Sequence, residues 1–489
     1  MLFNSYIFIF LFLPLTLAGY FFLNAKEKYD LAQLFLLVMS VWFCGFVNIS
    51  YLLILLPSIA LNYLLALFMN QLSVSQQKRK MLVTLGIIIN LLLLFVFKYY
   101  NFFIENVNEI FSQDFLLLNL FLPLGISFYT FQQITFLVDY YRDSSLHCTP
   151  VEYGLYITFF PQFIQGPIVL WSEFIPQLRD HSKKKISYED LAKGLYEFVL
   201  GLAKKVLIAD SLAKIVNDGY GKISDLNTAS AVILILSYTL QIYFDFSGYC
   251  DMAMGISKMF RIELPINFNS PYKAVGIDDF WDRWHITLTR FFTRYVYIPL
   301  GGSRKGKMRT YCNIFIIFLL SGLWHGAAWT FIIWGVMHGS AMMAKRLLKD
   351  TGMKIPQIAE WLLTFIFVSL AWVFFRAESL SDAIGVLSGL FSGNFATGVV
   401  PALYQSFNQM LEVNLLQRID FLQISQKMPG IYAVLFVIVV LLLSILKNNV
   451  YDRTKNFLPR ISNCILIFTL FVYCVMSLSG FSSFLYFQF

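Results

Sequence analysis

Long apolar blocks separated by short polar loops recur along nearly the whole of this 489-residue chain. Blocks of about 20 apolar residues match a hydrocarbon core roughly 30 Å thick. They fall at 3–23, 31–47, 49–68, 81–97, 115–139, 229–249, 358–375, 430–446 and 461–479. The segment 190–216 is mixed, because Lys204 and Lys205 sit in its middle, and it either crosses the membrane or lies at the interface. The stretch 312–344 is too long for one upright helix, so a bend is expected there. The pattern predicts an all-α polytopic membrane protein of about eleven crossings with re-entrant pieces.

Basic loops orient the array. Lys78-Arg79-Lys80 places the loop after the third span in the cytoplasm and the N-terminus outside. The next loop carries Glu105, Glu109 and Asp114 and no basic residue from 100 to 114, as expected outside. Lys183-Lys184-Lys185, Arg304 to Arg309, Lys345-Arg346 and Lys447 to Arg460 are then cytoplasmic. Residues 151–170 are apolar, yet both flanks carry the cytoplasmic signal, and Pro161, Gly166 and Pro167 interrupt them. A broken apolar segment with both ends on one side reads as a re-entrant loop, tolerated only inside protein or beside a wet cavity. The stretch 376–429, with scattered charges, reads as amphipathic helices on the outer surface.

Composition agrees with this reading. The chain is 58% hydrophobic and 13% charged, where a soluble protein has about 25% charged residues. The net charge of +8 lies in short loops, as topology signals do, which argues against nucleic-acid binding. The six cysteines show no CxxC pair or zinc spacing, so neither a disulfide framework nor a metal site is expected. Residues 1–23 lack a basic n-region and a cleavage site, and read as a retained first helix. No P-loop, dinucleotide fingerprint or hydrolase elbow is present, which removes the ordinary ATPases, oxidoreductases and lipases. Without a tandem repeat or linker, 1–489 reads as a single transmembrane domain.

Polar residues inside apolar segments are the candidate chemistry. His325 lies in Ser321-Gly322-Leu323-Trp324-His325-Gly326, within a stretch from Cys312 to Met343 that has no formal charge in 32 residues. An intramembrane ionisable group is costly and marks a functional site by default, and imidazole suits proton transfer near neutral pH. A second concentration runs from Asp278 to Tyr295. On one helix, Trp281, Trp284, Leu288, Phe291 and Tyr295 form an aromatic stripe, with Arg283 turned toward an anionic donor and His285 inward. The alternative is an interfacial helix anchored by tryptophan and arginine. Asp245 and Asp251 sit near membrane depth and need donors or cations, so structural pairing is the first expectation for them. His338 lies thirteen positions after His325, about 220° around an ideal helix, and is assigned a structural role.

These stretches resemble the membrane-bound O-acyltransferase family, most closely its bacterial alginate O-acetylase branch. The matching segments are Leu122 to Phe131, Phe159 to Pro167, Gly201 to Lys205, Tyr243 to Asp251, Asp279 to His285 with Tyr297 to Gly302, Leu323 to Gly326, and the closing Tyr486-Phe487-Gln488-Phe489. They run in order across nearly the whole chain. One stretch departs from the branch: Val169-Leu170-Trp171 stands where an arginine and an aromatic usually follow, which leaves the polymer open.

The resemblance implies a ring of helices around a central funnel, with its core at 115–346, and a catalytic pair of His325 and His285. Trp281, Arg283, Trp284, Trp324, Asp245 and Gln162 are candidates for the wall of a substrate or donor funnel. It implies no bound cofactor, the acyl donor being acetyl-CoA or a phosphopantetheine carrier thioester on the cytoplasmic side. The acceptor is an exported polysaccharide, reached directly or through an extracytoplasmic partner transferase, from a bacterial cytoplasmic (inner) membrane. Alternatives are D-alanyl transfer to teichoic acids, or a transporter or scaffold without its own chemistry. A transporter usually shows paired halves with matching broken helices, whereas the polar sites here concentrate between 243 and 338.

Overall fold

A computed structural model describes the chain except residues 72–73, 144–145, 396–398, 421–423, 429, 479–483 and 486–489. The closing Tyr486 to Phe489 motif therefore lies outside the described residues. The described residues form helices and a single isolated β-bridge, with no strands. Five helical stretches are long and apolar enough to cross a membrane: Phe8–Ala25, Ile49–Met69, Gln76–Phe111, Thr228–Met259 and Gln357–Arg376. Shorter apolar helices accompany them, so the protein is a multi-pass, all-helical membrane protein.

The chain falls into two compact units. The first comprises residues 1–200, 249–266 and 454–478, and the second 201–248, 267–453 and 479–489. In the first unit, α1 (Leu13–Ala25) follows a wider π-type turn at Phe8–Phe12, and α2 (Tyr29–Gly45) and α3 (Leu52–Met69) come next. The helix α4 (Gln76–Leu94) runs through another π-type turn into α5 (Tyr100–Phe111), and α6 (Ile126–Arg142) follows. Asn62, Asn90 and Gln133 join α3, α4 and α6 by buried amide contacts, with Asn90 donating to Asn62 Oδ1 at 2.6 Å. Such bonds stand in for a hydrophobic driving force that hydrocarbon cannot supply between helices.

The expected span at 115–139 is corrected: residues 113–123 are neither helix nor strand, and helix begins only after Gly125, whose φ is +73°. The asparagines of α5 explain why. Asn101 exchanges hydrogen bonds with both the N–H and the carbonyl of Leu118, each at 2.9 Å, and Asn108 does the same with Phe115. Side chains satisfy backbone that would otherwise demand a helix.

The segment around Phe159 to Pro167 is a hairpin. α7 (Pro150–Thr158) leads in and α8 (Trp171–Arg179) leads out. Each has nine residues, about 14 Å of helix, too short to cross a bilayer. Arg179 at the end of α8 bonds Glu152 at the start of α7, Nε to Oε1 at 2.6 Å, and also donates to the carbonyl of His147. Both ends therefore meet at one level, as a re-entrant segment must. Its loop is buried: Gln162 Nε2 donates to the Tyr156 carbonyl, and Tyr156 OH donates to the carbonyl of Val169. Arg79 donates to the carbonyls of Tyr140 and Tyr141, and Arg261 to those of Ser182 and Lys185.

The remaining helices are α9 (Tyr188–Ala203), α10 (Asp210–Tyr220) after a π-type turn at Lys204–Ala209, and α11 (Thr228–Met259). α11 outruns the expected 229–249 span because Lys258 near its end is matched by Glu197 at 2.9 Å. In the second unit, α12 (Ile277–Arg283) and α13 (Ile286–Phe292) precede α14 (Lys307–His325) and α15 (Trp329–Thr351). The stretch expected to bend at 312–344 is thus two helices broken at 326–328. Then come α16 (Gln357–Arg376) and α17 (Leu380–Leu390). The short α18 (Gln405–Asn408), α19 (Leu411–Arg418) and α20 (Ile424–Lys427) follow, before α21 (Ile431–Leu446), α22 (Val450–Lys455) and α23 (Ile461–Met476). The 376–429 segment is accordingly a set of short helices.

The hairpin makes a topological prediction. Cysteines introduced at Arg142 and Lys183 should react with a membrane-impermeant maleimide from the same side of the membrane. Labelling from opposite sides would exclude a re-entrant 150–179.

Candidate active site

The second unit brings both predicted histidines together. Their ring centroids lie 6.4 Å apart, and both side chains are buried, His285 at 1% and His325 at 3% exposure. Each sits where a helix stops. His325 is the last residue of α14, and Gly326 continues in extended conformation. α14 and α15 pack closely enough there that a Cβ at Gly335 would lie 2.5 Å from the Phe318 carbonyl oxygen. Small residues at such a crossing let two backbones approach inside a membrane. At the other end of this helical pair, Lys307 and Tyr311 both bond Asp350, at 3.1 and 2.9 Å. Those two donors hold its carboxyl below the usual carboxylate range.

The single helix expected across 278–295 is corrected to two, because His285 takes a left-handed conformation with φ +47°. That backbone is costly for a residue with a Cβ, and a short ladder holds it. Asn269 N–H donates to the Arg283 carbonyl at 2.9 Å, Ile286 N–H to the Asn267 carbonyl at 3.0 Å, and Phe268 pairs with Trp284. Asn267 Oδ1 also accepts from the Thr287 N–H and hydroxyl at 3.2 and 2.9 Å. These donors identify the amide oxygen, so His285 Nδ1, 3.3 Å away, must be the donor to it. The imidazole then carries its lone pair on Nε2. The break turns this ring inward, against Phe246 at 4.9 Å and Trp324 at 5.9 Å.

Aromatic rings wall the pair. His325 lies 4.9 Å from Trp324, 5.2 Å from Trp334 and 5.0 Å from Phe375. His338 joins the same cluster, 4.7 Å from Trp334 and accepting from Trp281 Nε1 at 3.3 Å. The 220° separation expected on one ideal helix does not apply, because the chain breaks between the two histidines and α15 folds back along α14. The break at Gly326-Ala327-Ala328 was the sequence signal for it. Asn267 and Phe246 had no signal of their own.

A cavity of about 250 Å³ lies beside this cluster. Asp278, Asp282 and Arg346 line it and are exposed, while Trp281, Leu288, Phe318 and Ser321 line it and are buried. Ser321 is one helical turn before His325 on α14.

The other candidates occupy different positions. Trp324 and Trp281 belong to the aromatic wall. Trp284 is fully buried and packs on Phe280 and Trp372. Arg283 is held by Asp279 at 2.7 Å and the Asn269 carbonyl, and does not line the cavity. Gln162 belongs to the first unit, where it braces the hairpin loop. Asp245 is buried against Lys205 Nζ at 2.7 Å, and Asp210 is 2.9 Å from the same ammonium. The second Asp245 oxygen accepts the Leu485 N–H at 3.0 Å. Pairing explains how Lys205 sits in an apolar segment.

That pairing has a measurable consequence. Removing one partner of a buried ion pair costs on the order of 3–5 kcal/mol, whereas replacing both with apolar groups is often near neutral. Lys205→Met should sharply lower the thermal unfolding midpoint in detergent, and adding Asp245→Leu should recover part of the loss. Equal stability of Lys205→Met and wild type would remove the structural role.

The model of the membrane-bound O-acyltransferase family matches residues 41–380. The chain is 46% identical over 420 residues to the peptidoglycan O-acetyltransferase of Helicobacter pylori, covering 80% of each. It is 38% identical over 400 residues to a probable alginate O-acetylase of Azotobacter vinelandii, covering 80% of this chain and 78% of that protein. The match to the teichoic acid D-alanyltransferase of Bacillus subtilis is partial: 31% over 236 residues, 46% of this chain and 59% of that protein.

Proposed function

The chain belongs to the membrane-bound O-acyltransferase family and is an O-acyltransferase, and on that premise we propose that it moves acetyl groups from a cytoplasmic thioester to hydroxyls of exported peptidoglycan. The observation that carries this reading is the buried pair His325 and His285 at two helix ends, beside a cavity that reaches within one turn of His325. The identity to a peptidoglycan O-acetyltransferase supports that acceptor, and the alginate relatives favour a related exported polysaccharide as the second reading. The cytoplasmic membrane is the location this requires, with the N-terminus outside. The donor is acetyl-CoA or a phosphopantetheine carrier thioester, and the acetyl group passes to the polymer directly or through an extracytoplasmic partner.

Neutral His325 acts as the general base. It takes the proton of the acceptor hydroxyl as the oxygen attacks the thioester carbonyl, the new C–O bond forms, the C–S bond breaks, and the proton passes to the leaving thiolate. His285, with its Nε2 lone pair, accepts a hydrogen bond from a second hydroxyl of the sugar and so orients the acceptor. The aromatic wall keeps water from competing for the thioester.

The test is ester formation by purified protein in vesicles, given the acetyl thioester, peptidoglycan fragments and, where required, the partner transferase. A positioned base contributes about 10²- to 10⁴-fold, so His325→Ala should lose activity on that scale while eluting as a folded protein. His285→Ala removes one hydrogen bond, roughly a tenfold effect. Near-normal turnover by folded His325→Ala would falsify the base assignment.

A further inference from the structure

The cavity beside the histidines does not run on to them. Its exposed residues, Asp278, Asp282, Thr293 and Arg346, mark where it opens, and Trp281, Leu288, Phe318 and Ser321, among its buried residues, mark the inner end. α14 and α15 run back to back, so Arg346 lies toward the Lys307–Asp350 end and Ser321 toward the His325 end. Between the inner end and His325 stand two indoles. Trp281 packs against Phe318 at 5.0 Å and Trp334 at 5.8 Å, and Trp334 is itself 5.2 Å from the His325 ring.

Trp281 is also the one wall residue of the inner end with its orientation set by a side-chain hydrogen bond among the described contacts. Its indole N–H donates to His338 Nδ1 at 3.3 Å. His338 is fully buried, edge-on to Trp281 and to Phe367, with Trp334 on a third side. An imidazole packed this way has no room to turn, so its Nδ1 lone pair fixes the indole. At about 250 Å³ the cavity is below the usual size of a small-molecule site, 300 Å³ or more. It suits a narrow thioester arm, with the bulk of the donor left outside.

Resting on the acyltransferase reading above, we propose that Trp281, held by His338, is the stop that limits the donor's acyl group to two carbons. An arm entering past Arg346 brings its thioester carbonyl to Ser321, one turn from His325 along α14, and the methyl of an acetyl group ends against the Trp281 indole. Each further methylene meets the Trp281 ring, which cannot swing aside while bonded to His338. His338 is then a positioning residue that acts through Trp281, and Trp281 is the specificity-determining one.

The experiment compares acetyl-, propionyl-, butyryl- and hexanoyl-coenzyme A, or the same acyl groups on a phosphopantetheine carrier, as donors to peptidoglycan fragments in reconstituted vesicles. A hydrophobic pocket discriminates one methylene by about 10- to 200-fold, so wild type should prefer acetyl over butyryl by at least about tenfold. Trp281→Ala should raise the butyryl-to-acetyl ratio of kcat/KM by about tenfold or more. His338→Phe, which keeps the ring but not the acceptor, should raise it in the same direction. His338→Gln, which restores an acceptor, should return it toward wild type. A merely structural histidine would lower all donors together and leave the ratio unmoved. If Trp281→Ala fails to fold, Trp281→Phe and the two His338 variants decide. Wild type that transfers acetyl while every variant keeps the wild-type ratio overturns this inference alone. Wild type that transfers no acyl group from either donor overturns the functional reading and this inference with it.

Discussion

Backbone and side-chain polar groups inside hydrocarbon must find partners within the chain, and this constraint organises the whole molecule. The fold interrupts its helices repeatedly, and at several interruptions a side chain takes over what the helix gave up. Asn101 and Asn108 serve the non-helical run before α6. At the hairpin, Glu173 accepts the Leu170 N–H and Gln162 caps the carbonyl of Tyr156. At His285 the substitute is Asn267, which accepts three donors around one kink. Lys205 obeys the same rule with charge in place of dipoles.

The candidate chemistry sits at these interruptions for a physical reason. A side chain in mid-helix points sideways into a packed neighbour, whereas a residue at a helix end can aim along the axis into open space. His325 ends α14, and His285 occupies the turn between α12 and α13. Both imidazoles are thereby buried in one aromatic cluster, 6.4 Å apart.

The comparisons place the chain among enzymes named for different polymers, a glycan of the cell wall and an exported polysaccharide among them. The elements that carry the histidines, α12 to α16, fall inside the family match at 41–380. The departure at Val169-Leu170-Trp171 lies in the buried hairpin.

Hydropathy and charge were enough to read most spans, the re-entrant segment and the two histidines, because each rests on composition over a window or on a residue whose cost in hydrocarbon is evident from its type. Asp245 was rightly expected to need a partner, but Lys205, forty residues away, was identified only by the fold. The sequence also misjudged 115–123, since apolar residues look alike whether their backbone is helical or held out of a helix by asparagines on another one. The stripe from Trp281 to Tyr295 read as one helix because periodicity cannot register a single residue forced left-handed by Asn267. His338 was set aside on ideal-helix geometry, and the break after His325 brought it back to Trp281. Local pattern determined which segments enter the membrane and which residues are costly there. Only the tertiary structure decided which of those residues meet, because that depends on where helices break, and a break is stabilised by partners distant in sequence.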